Sequence, residues 1–503
     1  MNLNVPALAD HPLIIAETRP SRISKFLSTL PVTNTLETAQ SLQEELESLN
    51  RQKAAPDVRA KALETYRPAV INVAEQLASH YCSAPLPLPD QDRQYAVLAN
   101  TLWLEMAYGY KRAILDIENK LFRFGNVKLL ALCLHRALDA LRAQIEVHYE
   151  TYRSQPPALW SELHQIYALA DQRELAEQSV DDPSRQHSLP ISHIYKQVLL
   201  LSLADPQRLS QRDIKLTCDY IERFAGLAQL QRPALVENPA AVFLISGESD
   251  KPPIPLGKRL RKIDEHNDLL LMTMDLARQI HLHIKQYQLG PFPPEAGLPE
   301  SANHPRYQDM LTYLLRHWGA SPKRIYNRTT KNDGIELSVG LPALHKVLLE
   351  NTANNGKSPR SSRWQALNIS AGGMALRKLP ATEAHLHIGD LVGVRISHTT
   401  HWAIGVLRWA SHTDNRYLDI GIQMLAPEAH PVSAIYNDQI TALLLLPDIP
   451  ALKQSSSLVG NPGTYSPAKI MELLQEDGSS KRIMITRLIE RTNQYDHFQF
   501  NTL

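Results

Sequence analysis

The sequence predicts an α+β protein with a large N-terminal all-helical domain, a small antiparallel β-barrel and an additional C-terminal β segment. Apolar residues recur at three- and four-residue spacing through the first part of the chain, which is the period of helices that face a core. Beyond Gly319 the pattern changes to short β-type runs separated by turn residues. A chain of 503 residues also exceeds one ordinary core, so several domains are expected.

Composition and charge exclude several classes of protein. The chain is 43% hydrophobic and 21% charged, and its net charge of +1 gives no global attraction to DNA, RNA or an anionic membrane. The longest apolar runs are too short to span a bilayer, and no secretory signal pattern opens the sequence. Cys82, Cys133 and Cys218 are far apart and form no CxxC, which favours free thiols in a reducing cytosol. We therefore expect a cytoplasmic protein without membrane insertion.

The helical domain, residues 1–231, contains seven periodic segments. Asn34 is a suitable N-cap for the first, and three prolines between residues 85 and 89 separate the second from the third. The predicted helices are Thr35 to Gln52, Asp57 to His80, Tyr95 to Lys120, Val127 to Tyr152, Ala158 to Gln178, Ile191 to Ala204 and Gln211 to Gln231.

A joining region, residues 232–319, follows. It is rich in proline at its start, carries a basic cluster from Lys258 to Lys262, and predicts helices over Asp264 to Tyr287 and Tyr307 to Trp318. The Gly-Ala-Ser-Pro sequence of residues 319–322 is typical of a domain boundary, so the barrel is placed at 320–429.

Short β-type runs fill the rest of the chain and predict a small antiparallel barrel followed by a C-terminal β extension, residues 430–503. The extension either packs on the barrel or forms a second small one. The predicted strands are Gly334 to Leu341, Val392 to Ile396, Trp402 to Trp409, Tyr417 to Met424, Gln439 to Leu446, Arg482 to Ile489 and Phe498 to Phe500.

The most informative motif is Asn-Ile-Ser-Ala-Gly-Gly, residues 368–373, at a turn between two strand-like runs. Asn and Ser side chains bond to nearby backbone in such turns, and paired glycines permit left-handed backbone and the close approach of a ligand. Upstream, Arg324 and Arg328 form an Arg-x-x-x-Arg pair immediately before the first β-type run.

In this order the two motifs resemble the PilZ domain, a bacterial receptor module for cyclic di-GMP, over residues 323–427. The resemblance implies a PilZ-like barrel and a cyclic di-GMP ligand, with no further cofactor. Arg324 and Arg328 correspond to its arginine pair, Asn368, Ser370 and Gly373 to its turn motif, and Gly372 to a backbone spacer. Lys323 precedes the pair, at a position that in this family influences whether one or two ligands stack.

One departure from the family pattern is the long gap between Arg328 and Asn368. Residues 342–360 insert material that is rich in Asn, Gly, Ser and Lys towards its end. We expect a surface insertion, the alternative being an element that shapes the site. Arg360 and Arg363 are rival candidates for the arginine grip, although their spacing does not match the family pattern.

The sequence lacks the common motifs of catalysis and metal binding. It contains no Walker loop, dinucleotide fingerprint or HExxH motif. Histidine pairs such as His385 and His387 lack a partner at zinc-type spacing, so no metal site is expected. We therefore expect a cyclic di-GMP receptor, not an enzyme, that signals to a protein partner through its helical domain. The alternative is a helical interaction scaffold with a degenerate, non-binding barrel.

Overall fold

The computed structural model describes residues 1–503 apart from 11–14, 32, 120–125, 186, 234–238, 260, 320–328, 353–360, 381, 398, 414–416, 438, 451–453 and 475–478. The chain forms two compact units, built mainly from residues 1–323 and 324–503. Within the described residues, no helix is both long enough and apolar enough to cross a bilayer.

The first unit is mainly helical, and a side chain caps its second helix. The side chain of Asn34 accepts a hydrogen bond from the backbone N–H of Glu37 at 3.3 Å, which caps the second helix. The helices are α1 Pro20–Leu27, α2 Thr35–Arg51, α3 Pro56–Tyr81, α4 Asp90–Glu118, α5 Val127–Glu150, α6 Leu159–Gln172, α7 Ile191–Leu203, α8 Gln211–Phe224, α9 Met274–Leu289 and α10 Pro305–Gly319.

A buried ion cluster ties these helices together. The Arg67 guanidinium on α3 lies 2.7 Å from the Asp139 carboxylate on α5 and 2.5 Å from that of Asp182. Because all three side chains are almost wholly buried, each charge needs the others to offset its desolvation.

The first unit also contains six short strands. They are β1 Ser179–Asp182, β2 His187–Pro190, β3 Gln229–Gln231, β4 Val242–Ser246, β5 Ile254–Pro255 and β6 Asp268–Met272. The first two form a hairpin, and the others form an antiparallel sheet in the order β3-β6-β4-β5.

Three predicted helices differ from the structure. The helix predicted from Asp264 begins only at Met274, because residues 268–272 form the strand β6 between β3 and β4. Such a short apolar run does not distinguish a buried strand from a helix by period alone. The predicted helices ending at Gln178 and Gln231 likewise end earlier, at Gln172 and Phe224.

The second unit contains two antiparallel β-barrels and one helix, α11 Leu341–Thr352. The strands are β7 Thr329–Thr330, β8 Gly334–Val339, β9 Ser362–Ser370, β10 Gly373–Lys378, β11 Leu391–Ile396, β12 Ala403–Thr413, β13 Tyr417–Ala426, β14 His430–Tyr436, β15 Gln439–Leu446, β16 Ser457–Gly460, β17 Ile470–Leu474, β18 Ser480–Arg491 and β19 Asp496–Thr502.

In the first barrel six strands close a ring in the order β8-β9-β10-β13-β12-β11, and β7 pairs with the end of β9. The second barrel closes in the order β14-β15-β16-β19-β18-β17. The predicted fold class is therefore confirmed. Of the two alternatives for the C-terminal segment, a second small barrel is the one observed.

The insertion after Pro342 is not the surface loop we expected. Its first part forms α11, whose Leu344, Val347 and Leu348 are buried in an apolar core shared by both barrels. At Gly393 a Cβ atom would lie 2.4 Å from the Leu344 side chain, so this helix packs directly on β11. The apolar positions have helical spacing, but the polar residues that follow concealed the pattern.

Candidate ligand-binding site

The predicted turn is a tight hairpin in the first barrel. β9 ends at Ser370 and β10 begins at Gly373, opposite it, so only Ala371 and Gly372 form the connection. The Ser370 hydroxyl donates a hydrogen bond to the carbonyl of Gly373 at 3.0 Å. The backbone N–H of Met424 donates to the Gly372 carbonyl at 3.1 Å, which attaches the hairpin to β13.

Gly373 serves strand packing, and neither glycine of the pair forms a left-handed turn. Neither Gly372 nor Gly373 adopts a positive φ, so the left-handed backbone predicted for this turn is wrong. A Cβ atom at Gly373 would lie 2.2 Å from the carbonyl oxygen of Ile422, so a larger residue would force β10 and β13 apart. The close approach that requires glycine here is that of a neighbouring strand.

Strand register aligns five residues across the outside of this barrel. In order they are Thr330, Asn368, Ala375, Gly421 and Trp409, on β7, β9, β10, β13 and β12. Directly opposed residues project from the same face of a sheet, so these five share a face.

This face is the outer one, because the adjacent row is wholly buried inside the barrel. That row consists of Leu376, Ile420 and Ala410. We call the outer surface the motif face and define it by Thr330, Asn368, Ser370, Gly373, Ala375, Gly421, Gln423 and Trp409.

The motif face has a low floor and a raised aromatic edge. Ala375 and Gly421 contribute at most one methyl group to its centre. The indole of half-buried Trp409 lies against Gly421, since a Cβ atom at residue 421 would be 1.7 Å from the indole Nε1. Ala375 is only 3% exposed and Gly421 is buried, so the indole already covers part of this floor.

Polar groups border this floor on the other sides. The side chain of Asn368 is half-buried and makes no hydrogen bond within the described part of the chain. Arg377 is paired with Asp419 through two contacts of 2.7 Å, so its charge is already balanced. Gln423 is exposed and lies opposite Gly373.

The predicted site residues are only partly brought together. Asn368, Ser370, Gly372 and Gly373 share the hairpin. Arg363 is exposed on β9 five residues from Asn368, a separation of about 17 Å along a strand, so it does not join them.

Four predicted residues, Lys323, Arg324, Arg328 and Arg360, lie outside the described residues. Sequence reasoning missed Trp409 and Gln423, which belong to other strands and reach the hairpin only through the register.

Three models of one protein family match successive parts of the chain. Residues 21–234 match the model described as the N-terminal domain of the cyclic-di-GMP receptor FimW. Residues 242–355 and 348–431 match its middle PilZ domain, and residues 429–503 match the FimW C-terminal beta-barrel domain. The chain belongs to the FimW family of PilZ-domain proteins.

A FimW family relative aligns along the entire chain. The cyclic-di-GMP receptor FimW of Pseudomonas aeruginosa is 24% identical over 578 aligned residues, covering 100% of this chain and 93% of that protein. The PilZ match starts at residue 242, within β4, whereas the contacts within the fold separate the two units near residue 323. The PilZ match thus includes β4, β5, β6, α9 and α10. By their contacts these elements belong to the first unit, together with β3.

Proposed function

We propose that this chain is a cyclic di-GMP receptor that binds the dinucleotide on the motif face. The observation that carries this proposal is the pairing of β7 with the hairpin strand. Thr330 lies opposite Asn368, and Thr329 lies opposite Ile369. Thr329, the residue that follows Arg328 in the sequence, therefore lies on a strand that borders the motif face. The family match supports the same ligand.

The chemistry of the ligand fits these residue types. Cyclic di-GMP carries two phosphates and two guanines, and a guanidinium fork matches both a phosphate and the O6/N7 edge of guanine. Arg324 and Arg328 would supply two such forks, which lysine does not reproduce. The free amide of Asn368 would add a donor and an acceptor from the barrel side.

Trp409 extends this scheme to the bases. Its indole borders a floor of Ala375 and Gly421, with no large side chain between it and Asn368 in that row. A guanine base beside this row would stack against the exposed part of the indole, an interaction worth about 1–3 kcal/mol per base. The arginines would then hold the phosphates or the opposite base.

Transmission of the signal is proposed to proceed through the helical domain, residues 1–231, to a protein partner. Arg324 and Arg328 lie in the connection between α10 and β7. If both arginines contact the ligand, the connection loses conformational freedom. Ligand binding would then favour the conformation of the connection that binds the ligand more tightly. A cytoplasmic site of action is consistent with the free thiols of Cys82, Cys133 and Cys218.

Isothermal titration of cyclic di-GMP into the wild type and Arg328→Ala tests the receptor proposal. We expect saturable binding that the substitution reduces at least tenfold, because a charge-assisted bidentate contact contributes about 1.5–3 kcal/mol. Arg316→Ala is the matched control, since Arg316 is an exposed arginine on α10. It should bind like the wild type.

Equal affinity of Arg328→Ala and the wild type would remove the arginine pair from the site. No binding by a folded wild type would instead favour the scaffold with a non-binding barrel. Chromatography of cyclic di-GMP after long incubation with the protein tests the proposed lack of enzymatic activity. Appearance of a linear dinucleotide or GMP would contradict it.

A further inference from the structure

The side chain of Gln423 occupies a position on the motif face that no predicted site residue covers. It is exposed on β13, directly opposite Gly373, the last residue of the hairpin motif. Its position is therefore set by the same strand pairing that positions the motif. A ligand lying over the hairpin would meet this side chain next.

The orientation of the Gln423 amide is fixed by its neighbour. Nε of Arg408 donates a hydrogen bond to Oε1 of Gln423 at 2.8 Å. A guanidinium has only donors, so the amide oxygen must face Arg408. The amide nitrogen, with its two hydrogens, is then left for another acceptor. No acceptor takes these hydrogens within the described part of the chain.

Arg408 is in turn held by the second barrel. It lies at a β-bulge in β12, and its two Nη atoms contact the Glu490 carboxylate on β18 at 2.5 and 2.8 Å. The Tyr495 hydroxyl donates to the same carboxylate at 2.8 Å. Burial opposes ionisation of Glu490, but the hydrogen bonds from Arg408 outweigh it, and the pKa of this carboxyl lies below its usual range.

This geometry forms a continuous polar chain from the second barrel to the motif face: Tyr495 and Glu490, then Arg408, then Gln423. Each link is a direct hydrogen bond, and each donor and acceptor is fixed by its chemistry. A bidentate guanidinium–carboxylate pair fixes the orientation of the guanidinium as well as its distance from the carboxylate. The last member is the only one of the four that projects into the motif face.

We infer that Gln423 is a further ligand-contacting residue, which donates its amide hydrogens to an acceptor oxygen of the bound dinucleotide, and that Glu490 positions it through Arg408. The inference rests on the proposed function. It makes the second barrel part of the binding site, because that barrel orients one of the donors.

Two substitutions of Gln423 in the full-length protein test the contact. Gln423→Leu removes the donor and keeps similar volume, and should weaken cyclic di-GMP binding about five- to tenfold, the effect of one hydrogen bond. Gln423→Glu keeps an acceptor for Arg408, offers no donor and brings a negative charge toward a dianion, so its loss should be larger. Gln439→Leu, an exposed glutamine on β15, is the control and should bind like the wild type.

A double-mutant cycle tests the positioning role of Glu490. Glu490→Gln should weaken binding by a factor similar to that of Gln423→Leu, and the double variant should be no weaker than Gln423→Leu alone. A merely structural Glu490 would lower the unfolding temperature and leave the affinity unchanged, or its effect would multiply that of Gln423→Leu. Either result would overturn the positioning role.

The outcomes separate this inference from the proposed function. If the wild type and both Gln423 variants bind cyclic di-GMP equally, the receptor function stands and the Gln423 contact is refuted. If the folded wild type gives no binding, the proposed function fails and the inference with it. Loss of binding in both variants, with the control unchanged, supports the contact.

Discussion

The packing of Trp409 on Gly421 gives a sharp prediction for Gly421→Ala. The three atoms nearest to an added Cβ atom all belong to the Trp409 indole, at 1.7, 2.1 and 2.4 Å. Ordinary carbon contacts are about 3.5–4.0 Å, so the indole must move by roughly 2 Å. All three atoms belong to one side chain, so the strain depends on whether that side chain can move.

The size of the effect follows from two opposing terms. Overpacking costs about 1–3 kcal/mol, while replacing glycine by alanine in a strand recovers about 0.5–1 kcal/mol. We expect Gly421→Ala to lower the free energy of unfolding by about 1–2 kcal/mol. In a Trp409→Ala background the obstacle is absent, so the same substitution should be neutral or stabilising by about 0.5 kcal/mol.

The four proteins of this cycle are compared by urea unfolding, followed by circular dichroism, and by titration with cyclic di-GMP. Trp409→Ala should weaken binding about tenfold, in line with the loss of one stacked base. Gly421→Ala should weaken binding in the wild-type background only, because it displaces the indole. Tyr436→Ala, a partly exposed tyrosine on the second barrel, is the binding control. An equal stability cost of Gly421→Ala in both backgrounds would refute the packing argument.

Two further predictions concern stability. Burial, with the nearby Glu146 carboxylate adding to it, raises the pKa of Glu150 to about 7, so its neutral form is the one favoured by the fold. The stabilisation that Glu150 contributes is complete below the ordinary pKa of a glutamate and is lost as the pH rises to about 7. Glu150→Gln should therefore flatten the dependence of the melting temperature on pH between 4.5 and 8. An unchanged slope would contradict this. Leu344→Ala removes a fully buried side chain from the core shared by the barrels and should cost about 2–5 kcal/mol in urea unfolding; exposed Leu349→Ala on the same helix is the control, and equal losses would show that α11 is not part of that core.

The sequence predicts best those helices and strands in which apolar residues recur with the period of an element buried on one face. α2 carries an apolar stripe that follows the Asn34 cap, α3 begins at Pro56, and β15 has the predicted bounds Gln439–Leu446. β6 was predicted as part of a helix because it lies between two other strands and consists of consecutive apolar residues. A centrally paired strand lacks the alternation that reveals an edge-exposed one.

The helix α11 shows a second reason for failure. Its apolar residues have helical spacing, but the polar residues that follow them favour a surface insertion. The burial of Leu344 depends on Gly393, and that of Val347 on a core that includes the second barrel. Neither neighbour is close in sequence, so no local pattern predicts the contact.

The residues of the candidate site also fall into two groups: those that the local sequence predicts and those that only long-range strand pairing brings to the site. The hairpin motif could be predicted because Asn368, Ser370 and Gly373 lie within six residues, and their spacing reflects one tight turn. Trp409 and Gln423 reach the motif face only because three strand pairings, with a bulge at Arg408, place them there. A shift of one residue in the pairing of β12 with β13 would turn the Trp409 side chain into the barrel. The bulge is thus what brings Arg408 to Glu490 and Trp409 to Gly421 at the same time, and it couples the aromatic edge of the motif face to its contact with the second barrel.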